Sequence, residues 1–174
     1  LARLAVEPPY PKWYIERPAD QISEINIFPK SEDAKTDKAQ LNFKREKDGT
    51  WRVIDYLVGT ESHLVDDAKW QKLLPTIKSP SGVDVAVHKV RDRDYSQWGL
   101  GDNSAAVEIR FQNTTEQGTT YTDGSLLLIG DLEPGGQAYY GKSEEEGVTQ
   151  PVLLFPKLWV ETIFGLYENI PYAD

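Results

Sequence analysis

The stretch Leu41-Asn42-Phe43-Lys44-Arg45-Glu46-Lys47-Asp48-Gly49-Thr50-Trp51-Arg52-Val53-Ile54 decides how this chain reads. Leu41 and Phe43 alternate with Asn42 and Lys44, and Trp51 and Val53 alternate with Arg52 and Ile54. Successive side chains of a pleated strand point to opposite faces, so each run predicts a strand with one apolar face. Lys47-Asp48-Gly49 lies between them. An Asp-Gly step flanked by alternating segments is a hairpin signal, because glycine accepts the positive φ of a tight turn.

Outward from that hairpin, Ile25-Asn26-Ile27 alternates as a short strand should. Downstream the period changes. Trp70, Leu73, Leu74 and Ile77 fall at i, i+3, i+4 and i+7, one face of a helix. Asp66 or Asp67 supplies its N-cap and a favourable charge at the positive end of the dipole. Pro75 lies beyond the first turn and has no N–H to donate, which predicts a kink or an early end there. Val83, Val85 and Val87 then read as a strand ending at His88.

The same order follows again. Val107, Ile109 and Phe111 alternate with Glu108, Arg110 and Gln112; Leu126 to Ile129 is a short apolar strand, and Ala138-Tyr139-Tyr140 its neighbour. Pro151 to Phe155 is one more strand, and Pro156 suits the start of a helix in which Trp159, Ile163 and Leu166 share a face. Strands closed by one helix thus occur twice, roughly 80 residues apart, too few copies for a solenoid. The expected fold class is α+β: a duplicated unit of antiparallel strands followed by one helix, packed around a shared core. The two similar halves, about 21–80 and 81–174, make a single domain. Residues 1–20, with Pro8, Pro9, Pro11 and Pro18, read as an extended proline-rich lead-in. Trp51, Trp70 and Trp159 sit on apolar faces and are assigned to the core.

At 174 residues a domain buries roughly 70% of its unfolded surface, enough for a core without disulfides or metal. The 39% hydrophobic and 27% charged content is globular. A net charge of −9 argues against nucleic acid as a partner, since phosphate binding needs clustered Lys and Arg. Without cysteine the chain has no disulfide framework, thiolate zinc site or cysteine nucleophile. Nor does it contain methionine, so Leu1 is not a natural translation start and a processed or trimmed chain is expected. No run approaches the ~20 apolar residues that span a bilayer. A signal peptide or membrane anchor before Leu1 is compatible with this sequence.

Several short motifs stand in a telling order. They are Leu41-Asn42-Phe43-Lys44-Arg45-Glu46 with Gly49-Thr50-Trp51-Arg52-Val53, the helical run Asp67 to Leu74, and Asp94-Tyr95-Ser96-Gln97-Trp98-Gly99-Leu100. Leu127-Leu128-Ile129-Gly130, Ala138-Tyr139-Tyr140 and Val152-Leu153-Leu154 complete the series. In this order and spacing, the stretch from Ile25 to Tyr167 resembles the bacterial family called domain of unknown function 4340. Where that family commonly has proline after its Gly-Leu-Asp, this chain has Gly99-Leu100-Gly101-Asp102-Asn103. The resemblance implies an extracytoplasmic envelope protein, often held by one N-terminal membrane helix. Many members are encoded beside gliding-type ABC-transporter components. It implies no catalytic residue.

Chemistry-bearing groupings are sparse. His63 and His88 stand in neither a nucleophile-elbow nor a zinc-ligand pattern; a loop histidine before a helix cap and a strand-end surface histidine are the plain readings. Asp92 and Asp94 alternate with Arg91 and Arg93, which weakens any local field for calcium, and Glu144-Glu145-Glu146 reads as a solvated loop. Gly99 and Gly101 precede a strand rather than a helix, and Gly130-Asp131-Leu132-Glu133-Pro134-Gly135-Gly136 is acidic, so both are turns and not phosphate loops. No catalytic, metal-ligating or cofactor-binding residue is assigned, and no cofactor is expected. Among the aromatics, Trp13, Tyr14, Trp98, Tyr139 and Tyr140 are candidates for stacking a sugar or gripping a partner; Trp98, Tyr139 and Tyr140 form the candidate binding surface, against a core-edge role.

The expected function is therefore a non-catalytic binding or scaffold module on the extracytoplasmic side of a bacterial membrane. Its expected partner is a protein in a membrane-associated, ABC-transporter-like assembly. A glycan-binding module using exposed aromatics is the alternative. A carboxylate-based hydrolase would need two carboxyl groups facing each other across a cleft, about 5–9.5 Å apart for a glycosidase.

Overall fold

In the computed structural model, residues 18–30, 39–78, 80, 82–144 and 149–174 are described. The hairpin forms as the sequence predicts. β2 (Leu41–Arg45) and β3 (Trp51–Asp55) pair antiparallel, with Phe43 opposite Val53. Asp48 Oδ1 accepts from the Thr50 amide (3.0 Å) and hydroxyl (2.7 Å), and Gly49 takes φ +90°. Those two hydrogen bonds to its carboxylate hold Asp48 below the usual carboxylate pKa.

Seven further strands join this pair among the described residues. They are β1 (Ile22–Phe28), β4 (Ser62–Leu64), β5 (Asp84–Val87), β6 (Ala105–Thr114), β7 (Thr120–Leu132), β8 (Ala138–Ser143) and β9 (Val152–Pro156). All nine lie in one sheet, in the order β4-β3-β2-β1-β6-β7-β8-β9-β5, and every pairing is antiparallel. Two helices, α1 (Asp67–Ile77) and α2 (Lys157–Phe164), pack on one face.

This corrects the expected α+β duplication. The molecule is largely β, with helices of only 11 and 8 residues. Among the described residues, no two strand-and-helix halves close on each other. β1 pairs directly with β6, from Ile22 opposite Phe111 to Phe28 opposite Ala106, so the sheet runs unbroken across the supposed boundary. β5 breaks the supposed repeat as well, since it crosses to the far edge and pairs with β9. The physical cause is the number of period-two segments. They exceed the helical ones so far that the core lies between one broad sheet face and two short helices, not between two layers of equal standing.

That core is dry. Ile25, Ile27, Leu41, Phe43, Val53, Val107, Ile109 and Leu127 all show 0% exposure on the helix-facing side. Burying each such side chain contributes roughly 1.5–3 kcal/mol. The three tryptophans assigned to the core are there: Trp51 at 4%, Trp70 at 0% and Trp159 at 2% exposure. Trp70 stacks on Phe43 with ring centroids 4.6 Å apart, and Trp159 stacks on Phe155 at 5.2 Å. Trp159 Nε1 donates to the Ile77 carbonyl at 3.0 Å, which ties the end of α1 to α2.

Asp66 is the α1 N-cap, accepting from the Lys69 amide at 3.0 Å. Pro75 is carried inside α1, and the helix ends two residues later at Ile77. α2 begins directly after Pro156, and Leu166 is buried in the short 3-10 turn that follows it.

Both sheet edges are guarded. Along β4, the Arg52 guanidinium donates to the Ser62 hydroxyl and carbonyl (2.7 and 2.6 Å), while Ala173 donates to Leu64 and Asp66 to Pro171. β5 is four residues long and bulged, and the Asp84 carboxylate takes the Val85 amide at 2.7 Å. Such devices discourage pairing with a foreign strand.

Candidate functional site

The sheet face away from the helices is covered in two different ways. Across β2, β1 and β6 it carries a ladder of polar side chains: Asn42, Asn26, Glu24, Glu108 and Arg110. Asn26 Nδ2 donates to Glu108 (2.8 Å) and Glu24 (3.3 Å), and Asn42 Nδ2 donates to Glu24 (2.7 Å) and to Asn26 Oδ1 (2.6 Å). Arg110 Nε donates to Glu108 at 2.9 Å, and a second guanidinium nitrogen lies 3.8 Å from Glu24. The hydrogen bond to Glu108 pushes the Arg110 pKa further up. Glu24 and Glu108 are two carboxylates on one sheet face, bridged by Asn26 and Arg110, and they lie on a ladder rather than across a cleft. Each of their oxygens is engaged, an arrangement that suits cross-strand register rather than proton transfer.

Across β7 and β8 the same face is covered by an irregular strap, residues 88–104. Its far end is pinned tightly: Leu100 is buried, and the Trp98 carbonyl lies so close over Gly130 that a Cβ there would overlap it. Gly99, at φ +67°, sits against the Asp131 carboxylate. Tyr95 anchors the middle by donating its hydroxyl to the Gln150 carbonyl at 2.8 Å, with the Lys142 ammonium 4.6 Å over its ring. Asp94 accepts from the Ser96 hydroxyl (2.6 Å) and amide (3.0 Å), which holds its carboxyl below the ordinary value. Just before it, Asp92 and Arg93 are consecutive non-glycine residues in the left-handed region, at φ 54° and 55°. Two such residues in a row are uncommon, and strain of this kind persists only where the surroundings fix it. Between this strained turn and Trp98 lies a hollow of about 430 Å³.

The candidate aromatics do not form one surface. Tyr139 and Tyr140 are neighbours in β8 and point to opposite faces. Tyr139 packs at the edge of the helix-side core with its hydroxyl 3.5 Å from Glu161, whereas Tyr140 shares the strap side, opposite Leu154. Trp98 is half-buried in the strap, its ring centroid 6.4 Å from that of Tyr95. Trp13 and Tyr14 lie outside the described residues, as do Glu145 and Glu146. His63 is exposed in β4 and meets the Tyr172 ring edge-on at 5.4 Å, and His88 is exposed just past β5. Glu133 closes the turn after β7, held below its ordinary pKa by the Gln137 and Gly135 amides. No group of three or more His, Asp or Glu placed to hold a metal occurs among the described residues. Nor is any helix among them long and apolar enough to cross a membrane.

The turn after β3 holds a feature that no strand or helix period marks in the sequence. Tyr56, Leu57 and Val58 are three consecutive apolar residues at 42%, 63% and 81% exposure. Their backbone is fixed: Tyr56 donates to Gln40 (2.8 Å), Leu57 to the Asp55 carboxylate (2.9 Å), and Val58 and Gly59 to the Asp55 carbonyl (3.2 and 3.0 Å). The signal was present in the sequence as an apolar run without strand or helix period, placed just after a strand.

No protein-family model, curated protein or solved structure matches the chain.

Proposed function

We propose that this chain is a non-catalytic binding module that docks a protein partner through the Tyr56-Leu57-Val58 turn. The observation that carries the reading is the exposed apolar triplet on a backbone tied down by four hydrogen bonds. Apolar side chains left in water on a fixed turn lose little further freedom on binding, which is how preorganised anchors contribute affinity. Asp55 and Glu61 flank the triplet in a chain of net charge −9. An apolar pocket with a basic rim complements that arrangement, whereas anionic lipid headgroups would be repelled. The motif resemblance described above supports placing the module on the extracytoplasmic side of a bacterial membrane, as an accessory to an ABC-transporter-like assembly.

The test is site-specific photo-crosslinking in the membrane fraction of the native host. A crosslinker at Leu57 should capture a transporter-type membrane subunit, and one at Gly118, on the tip of the β6–β7 hairpin, should not. Val58→Asp should abolish the Leu57 crosslink while leaving the thermal midpoint unchanged, because Val58 packs against almost nothing. Equal capture from both positions, or none from Leu57, would reject the docking role.

A further inference from the structure

We propose that the hollow within the strap, between the Asp92–Arg93 turn and Trp98, binds a neutral saccharide ring. The hollow, about 430 Å³, lies within the roughly 300–1,000 Å³ typical of ligand sites. Trp98, Gln97, Lys89, Arg91, Asp92 and Val90 are among the residues that line it. Trp98 and Val90 offer an apolar wall of the kind that the C–H face of a sugar ring covers. Lys89 and Arg91 have no ion-pair partner among the described residues, so their donors are available. Asp92 supplies acceptors, and the Gln97 amide supplies both donors and an acceptor oxygen.

The balance of the wall selects the ligand class. Asp94 also lines the hollow, so two cations face two carboxylates and the lining is neutral in formal charge. A phosphate or carboxylate ligand would gain the cations but meet both acids, within a chain of net charge −9. A wholly apolar ligand would strip water from four charged groups and return no hydrogen bond. A hydroxyl donates one hydrogen bond while accepting others, so a ring bearing several of them satisfies donors and acceptors set side by side. The left-handed pair Asp92–Arg93 fits this reading. It turns the chain sharply between Arg91 and Asp94, which brings the side chains of Arg91, Asp92 and Asp94 to one cavity despite their closeness in sequence. This site is separate from the Tyr56-Leu57-Val58 turn, and either can fail without the other.

The experiment is an amide and side-chain NMR titration of the folded chain with maltotriose, cellotriose and chitotriose. Glucuronate, inorganic phosphate and glycine serve as anionic and zwitterionic comparisons. At least one neutral trisaccharide should shift the Trp98 indole and the Arg91 side-chain signals in a saturable way. Arg91→Ala and Gln97→Ala, both at exposed positions, should each weaken that binding about tenfold without moving the thermal midpoint. Asp92→Asn, which tolerates the same backbone conformation, should weaken it similarly, and Tyr139→Phe, on the other face, should leave it unchanged. The proposal is overturned if no neutral trisaccharide shifts these signals. It is equally overturned if glucuronate, phosphate or glycine shifts them as strongly, or if Arg91→Ala and Gln97→Ala bind like the parent.

Discussion

The two faces of the sheet are covered by opposite means. On one, two amphipathic helices lay Trp70, Leu74, Ile77, Trp159, Val160 and Ile163 onto an apolar strand surface, and every one of these is buried. On the other, β7 and β8 are covered by a strap without regular structure beyond two short 3-10 turns, held by Leu100, the Tyr95 hydroxyl and a close approach at Gly130. The helices satisfy their own backbone and turn away only side chains. The strap must satisfy its backbone piecemeal, through Asp94, Ser96 and Ser104, and it accepts two left-handed residues in doing so. Stability is thus concentrated on the helix side, and the strap holds polar groups open to solvent at the cost of local strain.

The largest expected effect breaks the helix side. Trp70→Ala removes a ring stacked on Phe43 and tilted against Trp51, and should cost about 3–5 kcal/mol in urea unfolding. Gly130→Ala attacks the strap side. Its Cβ would meet the Trp98 carbonyl and the Leu100 side chain, so the strap must lift, at a cost of about 1–3 kcal/mol, with the strap amides losing protection before those of β1 do. Asp92→Gly runs the other way: glycine accepts φ 54° freely, and the variant should gain up to about 1 kcal/mol in thermal unfolding.

The smallest effect separates charge from packing. Hydrogen bonding to the Lys69 amide holds the Asp66 carboxyl below its unfolded pKa. Its stabilisation is therefore complete above the unfolded value and is lost as pH falls through the folded one. Asp66→Asn, a cap that does not titrate in that range, should flatten this part of the acid limb of the stability curve and leave neutral pH little changed.

Much of the helix side was legible in the sequence, because it rests on local periodicity. Trp70, Leu74 and Ile77 recur at helical spacing, and Leu41/Phe43 and Trp51/Val53 at strand spacing, so faces and caps followed from counting. Sheet order did not, since no local pattern says that β1 pairs with β6 or that β5 crosses to β9. The 13-residue length of β7 was also hidden. Its first five residues, Thr120 to Gly124, are all exposed, and a stretch with neither face buried shows no alternation. Ser62–Leu64 escaped for the same reason, being exposed throughout. For the candidate site, Trp98 was singled out as an aromatic, but its company in the hollow depends on the positive φ of Asp92 and Arg93, which their residue types do not announce. Tyr139 and Tyr140 could have been separated from the sequence alone, because adjacent strand residues face opposite ways.

Native-state hydrogen exchange, read amide by amide, weighs the two coverings directly. The amides of Ile25, Phe43, Ile109 and Leu74 should exchange only through global unfolding. Those that Ser96, Gly99 and Gly101 commit to hydrogen bonds in the strap should exchange through a local opening of distinctly lower free energy and weaker denaturant dependence. Strap amides protected as strongly as Ile25, with the same denaturant slope, would mean that both coverings belong to one cooperative unit and would contradict the division of labour drawn here.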